Sequence, residues 1–272
     1  MNVLYANDTS DYHCGCSLTC NILTSLIKKY GTITKTLKCP SFQYNTPDWD
    51  TVNLSEIDII IINGEGTVHH NSRGVQYIIK LAEKAKREGK KVCLINTVID
   101  SVNCDMSIFD YISCRESISA QGKYNVVHDA CFYHQVNYSP GKNILFSDSV
   151  NGGVSNQMKQ LFGKHTDSLY VPFDGHHSYD EMLKSYQSAR IVVTGRYHGV
   201  VFAMMSGKPF LAIRSNTHKI EGLCKDYKLE RNMVNPNEIE ERLNTNDYLI
   251  PDIDTNKIKD DIKKMVEDCF NV

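Results

Sequence analysis

The sequence predicts an α/β protein with parallel sheets, on three observations. Strand-length apolar runs alternate with helix-period segments along most of the 272 residues. One run, residues 57–62 (IDIIII), is apolar almost throughout, as a strand covered on both faces of a parallel sheet must be. The series then restarts after a Pro-Gly break at residues 137–142 (NYSPGK), which predicts two α/β halves, 1–138 and 139–272.

Each element has its own signal. Residues 3–6 form a short apolar run, and residues 16–30 place Leu18, Ile22, Leu23, Leu26 and Ile27 at helical spacing. After the 57–62 strand, residues 75–88 are amphipathic and Gly89 supplies a helix terminator. Strands are predicted at 91–98, 111–114 and 126–128, with a short helix between the last two. In the second series, strands fall at 143–147, 168–172, 191–194 and 210–214, and helices at 155–163, 179–189 and 200–206. The last segment, 256–270, carries Ile258, Ile262, Met265 and Val266 along one helical face.

Composition excludes several classes. A formal net charge of −2 and a pI near 6.5 do not suit a general nucleic-acid binder. The basic run at 80–91 is interrupted by acids and reads as the solvated face of a helix. No run of apolar residues is long enough for a membrane span. The start, MNVLYANDTSDYH, lacks the basic and apolar regions of a signal peptide, so a cytoplasmic location is expected. The ten cysteines are dispersed through a core-bearing chain, unlike a disulfide scaffold. Cys14, Cys16 and Cys20 beside His13 have C-x-C-x3-C spacing with no second pair, so packed thiols are expected there and no metal.

Four motifs carry chemistry. In residues 191–223 a buried strand meets a polar turn, G-R-Y-H-G (195–199), before a helix. In an open parallel sheet this is where ligands bind, and a helix N-terminus there favours an anion. Arg196 can bind a carboxylate or phosphate with its fork, and a histidine such as His198 is the residue type suited to acid–base work at pH 7. Lys219, after the next strand, is a point charge for a phosphate or a solvated loop lysine. The second motif, residues 7–17 (NDTSDYHCGCS), follows the first strand. It lacks the dinucleotide G-x-G-x-x-G and either contacts a ligand or caps a helix. The third, residues 63–70 (NGEGTVHH), puts the Glu65 carboxylate between two glycines at a strand end, where it suits sugar hydroxyls or proton acceptance. The fourth, S-C-R-E-S (113–117), offers Arg115 as an anion ligand or as the partner of Glu116 or Asp110 in a surface ion pair.

Taken together, these residues resemble the polysaccharide pyruvyl transferase family. The resemblance rests on the first loop, the G-E-G element, R-E-S, the H-D-A element at 128–130, and above all T-G-R-Y-H-G-V-V-F-A, G-K-P and K-I-E-G-L. It implies two Rossmann-like domains facing across a cleft, as in glycosyltransferase type B. It also implies transfer of pyruvate from phosphoenolpyruvate to two sugar hydroxyls, giving a ketal and phosphate. By position, the family's R-x-H element is Arg196 and His198, the expected catalytic pair. Arg115, Arg196, Tyr197, His198, Gly199 and Lys219 are the expected donor ligands. Asn7, Asp8, Ser10, His13, Gly64, Glu65, Gly66 and Thr67 are the expected acceptor ligands. The acceptor would be a sugar, a glycan or a lipid-linked oligosaccharide, the last implying a peripheral membrane location. Phosphoenolpyruvate is a co-substrate, and no other cofactor is expected. The family's first loop is commonly N-x-G-D where this chain has Asn7-Asp8-Thr9-Ser10, and Glu65 replaces a middle glycine. Two other classes fit the same fold: a glycosyltransferase with a nucleotide-sugar donor, and a non-catalytic glycan-binding protein.

Overall fold

The four consecutive isoleucines at 59–62 open strand β3 (Ile59–Glu65), which is buried at every position. Burial of each such side chain contributes about 1.5–3 kcal/mol. In the computed structural model, which describes residues 1–40, 49, 51–173 and 177–272, this strand is internal to a six-stranded parallel sheet. The other strands are β1 (Asn2–Asp8), β2 (Thr32–Lys38), β4 (Lys91–Thr97), β5 (Tyr111–Cys114) and β6 (Asn125–Val126), in the order β2-β1-β3-β4-β5-β6. Strand β2 was not expected. Its TITKTLK sequence is mostly exposed, as an edge strand's can be, so no apolar run announces it.

Helix α1 (Cys14–Ile27) links β1 to β2, and α2 (Arg73–Arg87) links β3 to β4. Ser72 caps α2 by accepting from Val75 N, and Lys84, Lys86 and Arg87 lie in its last turn, where cations suit the dipole. Its buried face of Val75, Ile78, Leu81, Ala82 and Ala85 joins Leu4, Ile60, Ile62 and Leu94 in the core. The expected solvated basic face is partly tied down, since Lys86 pairs with Asp110 at 2.6 Å and Lys84 donates to Val52 O. Helix α3 (Ser117–Ala120) is capped by Glu116, whose carboxylate accepts from Ile118 N and Ser119 N.

The second sheet contains β7 (Asn143–Ser149), β8 (Ser168–Tyr170), β9 (Ala189–Gly195) and β10 (Phe210–Ala212), all parallel, in the order β10-β9-β7-β8. Helices α4 (Gly152–Phe162), α5 (Tyr179–Ser188) and α6 (Tyr197–Met205) accompany it, and Ser178 and Glu181 form a capping box that starts α5. Further on lie α7 (Lys219–Asp226), α8 (Ile239–Thr245) and α9 (Thr255–Asn271). Ile144, Phe146, Met158, Leu161, Ile191, Val193 and Leu211 form this sheet's core.

The two sheets share one topology. In each, the first strand is flanked by the second on one side and the third on the other. The chain therefore reverses direction across the sheet at β1/β3 and again at β7/β9, and ligands bind such sheets at those points.

The chain divides into one unit of residues Met1–Asp11, Cys16–Tyr133 and Asn256–Val272, and another of Tyr12–Gly15 and His134–Thr255. This differs from halves of 1–138 and 139–272 in three ways, the first being that residues His134–Tyr138 fall in the second unit. Helix α9 groups with the first unit because Ile258, Ile262, Met265, Val266 and Cys269 are buried, the Cys93 thiol on β4 reaches Cys269 O at 3.7 Å, and Tyr30 stacks on Phe270. Residues Tyr12–Gly15, in the first loop, group with the second unit. No helix among the described residues is long and apolar enough to cross a membrane.

Candidate active site

At the β7/β9 reversal the second unit gathers charge. The Arg196 guanidinium donates to Asp148 Oδ2 through Nε at 2.8 Å and also through Nη2. Asp148, the next-to-last residue of β7, is fixed by Phe173 N, which donates to its Oδ1 at 2.9 Å. The Arg196 side chain keeps 20% of its surface, so the fork is held by a carboxylate on one edge and open on another. The sequence had suggested a turn at 195–199 and a helix from 200. Instead Arg196 is the N-cap, extended at φ −106°, and α6 begins at Tyr197. Arg196 N bonds Thr194 Oγ1 at 3.1 Å, which ends the strand cleanly. Gly199 then lets the first helical turn lie on Thr194, whose Cβ would be 3.0 Å from any added Cβ.

His198 is thereby in the first turn of α6 and buried. The His13 ring stands edge-on to it, centroids 5.0 Å apart at 74°, and the Tyr197 ring is 5.5 Å away. Lys219 opens α7, is largely buried, and donates to Asn216 Oδ1 at 2.8 Å. It follows β10, the strand beside β9, so topology brings it to the same edge.

The β1/β3 reversal of the first unit is different in chemistry. Asn7, Glu65 and Asn96, at or near the ends of β1, β3 and β4, all have left-handed backbones, with φ of 61°, 39° and 52°. Such a conformation costs a non-glycine residue about 1–2 kcal/mol, although asparagine tolerates it better than most. Three in adjacent strands mark this edge as specialised. Asn7 Nδ2 donates to Asn63 O at 2.5 Å and lies 3.0 Å from Thr67 Oγ1. Asn96 Nδ2 donates to Asn63 Oδ1 at 3.1 Å, and Ala130 N donates to Asn96 Oδ1 at 3.2 Å. Glu65 is buried, and burial together with its carboxylate pushes the Cys16 thiol well above the usual range. Burial and Glu65 likewise push Cys20 up to about 12. These are packed neutral thiols, poor nucleophiles at neutral pH.

Of the expected acceptor ligands, Asn7, Gly64, Glu65, Gly66 and Thr67 thus lie in or beside the end of β3 or β1. Gly64 is needed for packing, since a Cβ there would overlap the Thr97 side chain. Asp8 and Ser10 are drawn to Lys38, with Nζ at 3.0 Å from Asp8 Oδ2 and 2.9 Å from Ser10 Oγ. Burial raises the Asp8 pKa, but hydrogen bonds from Ser10 and Lys38 outweigh it and hold the carboxyl below its usual range. His13 lies with His198. Arg115 is 1% exposed, and its Nη1 pairs with Asp129 Oδ2 at 2.9 Å, a buried pair in place of a surface one with Glu116 or Asp110. Asp129 also receives Cys131 N at 2.9 Å and Thr19 Oγ1 at 3.3 Å. Asp110 is engaged by Lys86 and Val92 N.

Sequence reasoning missed Asp148 and Gly15, and gave Asp129 no role. A carboxylate at a strand end, S-D-S at 147–149, was the available signal for Asp148. That for Gly15 was a lone glycine in a cysteine-rich turn.

No curated protein sequence matches the chain significantly. An uncharacterised protein of Klebsiella pneumoniae is similar in structure at a TM-score of 0.53 and 15% identity, covering 86% of this chain and 92% of its own. UDP-GlcNAc 2-epimerase of Methanocaldococcus jannaschii is similar at 0.58 and 8% identity, covering 98% and 99%. The same enzyme in complex with UDP-GlcNAc and UDP gives 0.58, 9%, 98% and 99%. At these identities the likeness establishes the fold alone: α/β, with parallel sheets in the manner of glycosyltransferase type B. The sequence model of polysaccharide pyruvyl transferases matches residues 9–217, a span holding the β7/β9 reversal and the Arg196–His198 element, and the chain belongs to that family.

Proposed function

We propose that this transferase moves pyruvate from phosphoenolpyruvate to two hydroxyls of a sugar in a polysaccharide or glycan precursor. The observation that carries the reading is the Arg196 fork, clamped by Asp148 at the start of α6, with His198 two residues further on in the first helical turn. An arginine held on one edge and open on another is preorganised for an oxyanion, and the helix dipole adds positive potential. Phosphoenolpyruvate brings both a carboxylate and a phosphate, and Lys219 would supply a second cation.

The steps balance without a redox partner. A proton adds to the methylene carbon, which becomes the methyl group, and the adjacent carbon becomes electron-poor. One sugar hydroxyl attacks that carbon and gives up its proton, and the C–O bond to phosphate breaks. The second hydroxyl closes the ketal and gives up its proton. Of the two protons released, one replaces that taken by the methyl group and the other leaves with phosphate. His198 is the group proposed to carry a proton, a role worth about 10²–10⁴ in rate. The amides of Asn7 and Asn96 and the Glu65 carboxylate would receive the acceptor hydroxyls.

The test is phosphate release from phosphoenolpyruvate across a panel of glycan acceptors, with mass spectrometry of the product. A product heavier than the acceptor by pyruvic acid less one water is expected. Stabilisation by UDP-sugars and none by phosphoenolpyruvate in a thermal-shift comparison would overturn the reading.

A further inference from the structure

The first loop contributes residues to the second unit that the acceptor assignment does not explain. His13 packs directly on the histidine of the R-x-H element and is linked to its arginine through Phe173 and Asp148. Its ring is edge-on to His198, and on another side it meets Phe173 at 5.4 Å and 75°. Phe173 is the residue whose backbone N–H holds Asp148, and Asp148 holds Arg196. The His198 ring has a second wall in Gly15. A Cβ at that position would lie 2.7 Å from His198 Cβ and 2.8 Å from Cδ2, closer than side chains approach. Only a bare Cα fits against the imidazole there. Phe173 is itself anchored, 5.7 Å from Phe202 and 6.4 Å from Tyr186, both fully buried. The support behind His13 is therefore rigid.

We propose that His13 and Gly15 are positioning residues which fix the His198 imidazole by ring packing, His13 as the edge-on wall and Gly15 as the flat one. This rests on the pyruvyl-transfer reading for its catalytic consequence and reassigns His13 from the acceptor side. Two packed walls leave the imidazole few rotamers, and a general acid or base is effective only when its nitrogen is held in reach of the reacting atom. The role proposed for His13 is carried by the bulk and packing of its ring, so phenylalanine should serve in its place.

The test compares wild type, His13→Ala, His13→Phe and Gly15→Ala. Phosphate release gives kcat and KM for phosphoenolpyruvate, and 13C-histidine labelling gives the ring resonances of His198. His165, stacked on Phe146, is the internal reference. His13→Ala should lower kcat about tenfold with KM nearly unchanged, and should move the His198 resonances by removing a ring current. His13→Phe should restore most of both, and Gly15→Ala should repeat the kcat loss. If Gly15→Ala does not fold, the two His13 variants decide. Wild-type kcat with unmoved His198 resonances in His13→Ala would overturn the proposal, and so would a His13→Phe variant as impaired as His13→Ala. Should wild type release no phosphate, the pyruvyl-transfer reading fails, while the resonances still decide whether His13 holds His198.

Discussion

Two arginine–aspartate pairs sit at the C-terminal edges of two sheets with the same strand logic, and they are built for different ends. Arg115–Asp129 is sealed, with side-chain exposures of 2% and 0%, and Asp129 also takes Cys131 N and Thr19 Oγ1. Arg196–Asp148 is half-open, at 20% and 11%. A sealed pair has its hydrogen-bonding capacity turned inward, and its value lies in not being broken. A half-open pair spends one edge of the guanidinium on being held and keeps the other for a ligand. The surrounding edges differ likewise. Amides, a buried carboxylate and neutral thiols line the first, which suits hydroxyl groups, whereas cations, a histidine and a helix start line the second, which suits an anion.

The largest expected effect breaks the sealed pair. Asp129→Ala leaves a buried guanidinium without its carboxylate and should cost about 3–5 kcal/mol, read from the denaturant midpoint. Asp148→Ala should cost less, about 1.5–3 kcal/mol for a charged hydrogen bond, while weakening phosphoenolpyruvate more than Asp129→Ala does in any fraction that folds. The reverse ranking would exchange the roles assigned to the two pairs. His198→Ala should lower turnover by at least roughly 10², as measured by phosphate release. Arg196→Lys replaces a fork by a point charge, and a rise in KM for phosphoenolpyruvate is expected.

Gly64→Ala and Gly199→Ala probe the two edges in parallel, because each added Cβ would meet a threonine on its own sheet, Thr97 or Thr194. Overpacking should cost each about 1–3 kcal/mol, and Gly199→Ala should also reduce turnover by displacing the helix start that carries His198. The smallest effect concerns pH. Burial and Glu65 raise Cys20 from an ordinary thiol value of 9.0 to about 12, so the folded state holds its proton where the unfolded chain has lost it. Stability should be unaffected below pH 9 and fall between about pH 9 and 12, by about 1.4 kcal/mol per pH unit for this thiol. A Cys20→Ala variant should show a shallower alkaline decline in Tm; an equally steep one would remove Cys20 from the cause.

Much of this was legible in the chain. The strand run at 57–62, the helix at 75–88 and the strand–turn–helix around Arg196 all carry local signals, because buried parallel strands and amphipathic helices must show their periodicity in the sequence. The edge strand β2 was not legible, since most of its side chains meet water and no burial pattern is required of them. Arg196 and His198 could be picked out because they interrupt an apolar strand–helix junction. Asp148 could not, for its partner is 48 positions away and nothing local predicts the pairing. Arg115 stands out after a short strand with acids beside it, Glu116 and Asp110, but the fold pairs it with Asp129, 14 positions on. The apolar stripe of α9 announced a buried face without saying which sheet it would cover.

That last helix has a consequence for how the molecule is made. The first unit is assembled from both ends of the described chain, and one of its contacts, Cys93 to Cys269, spans 176 positions. On a ribosome that emits the chain from its N-terminus, the six-stranded sheet emerges early but waits, with the face meant for α9 uncovered, while nearly all of the second unit is synthesised. The contiguous stretch His134–Thr255 can close around its own core at once. The half that is read first is therefore the half that is finished last, and the interval between is when its apolar face is most in need of protection from other chains.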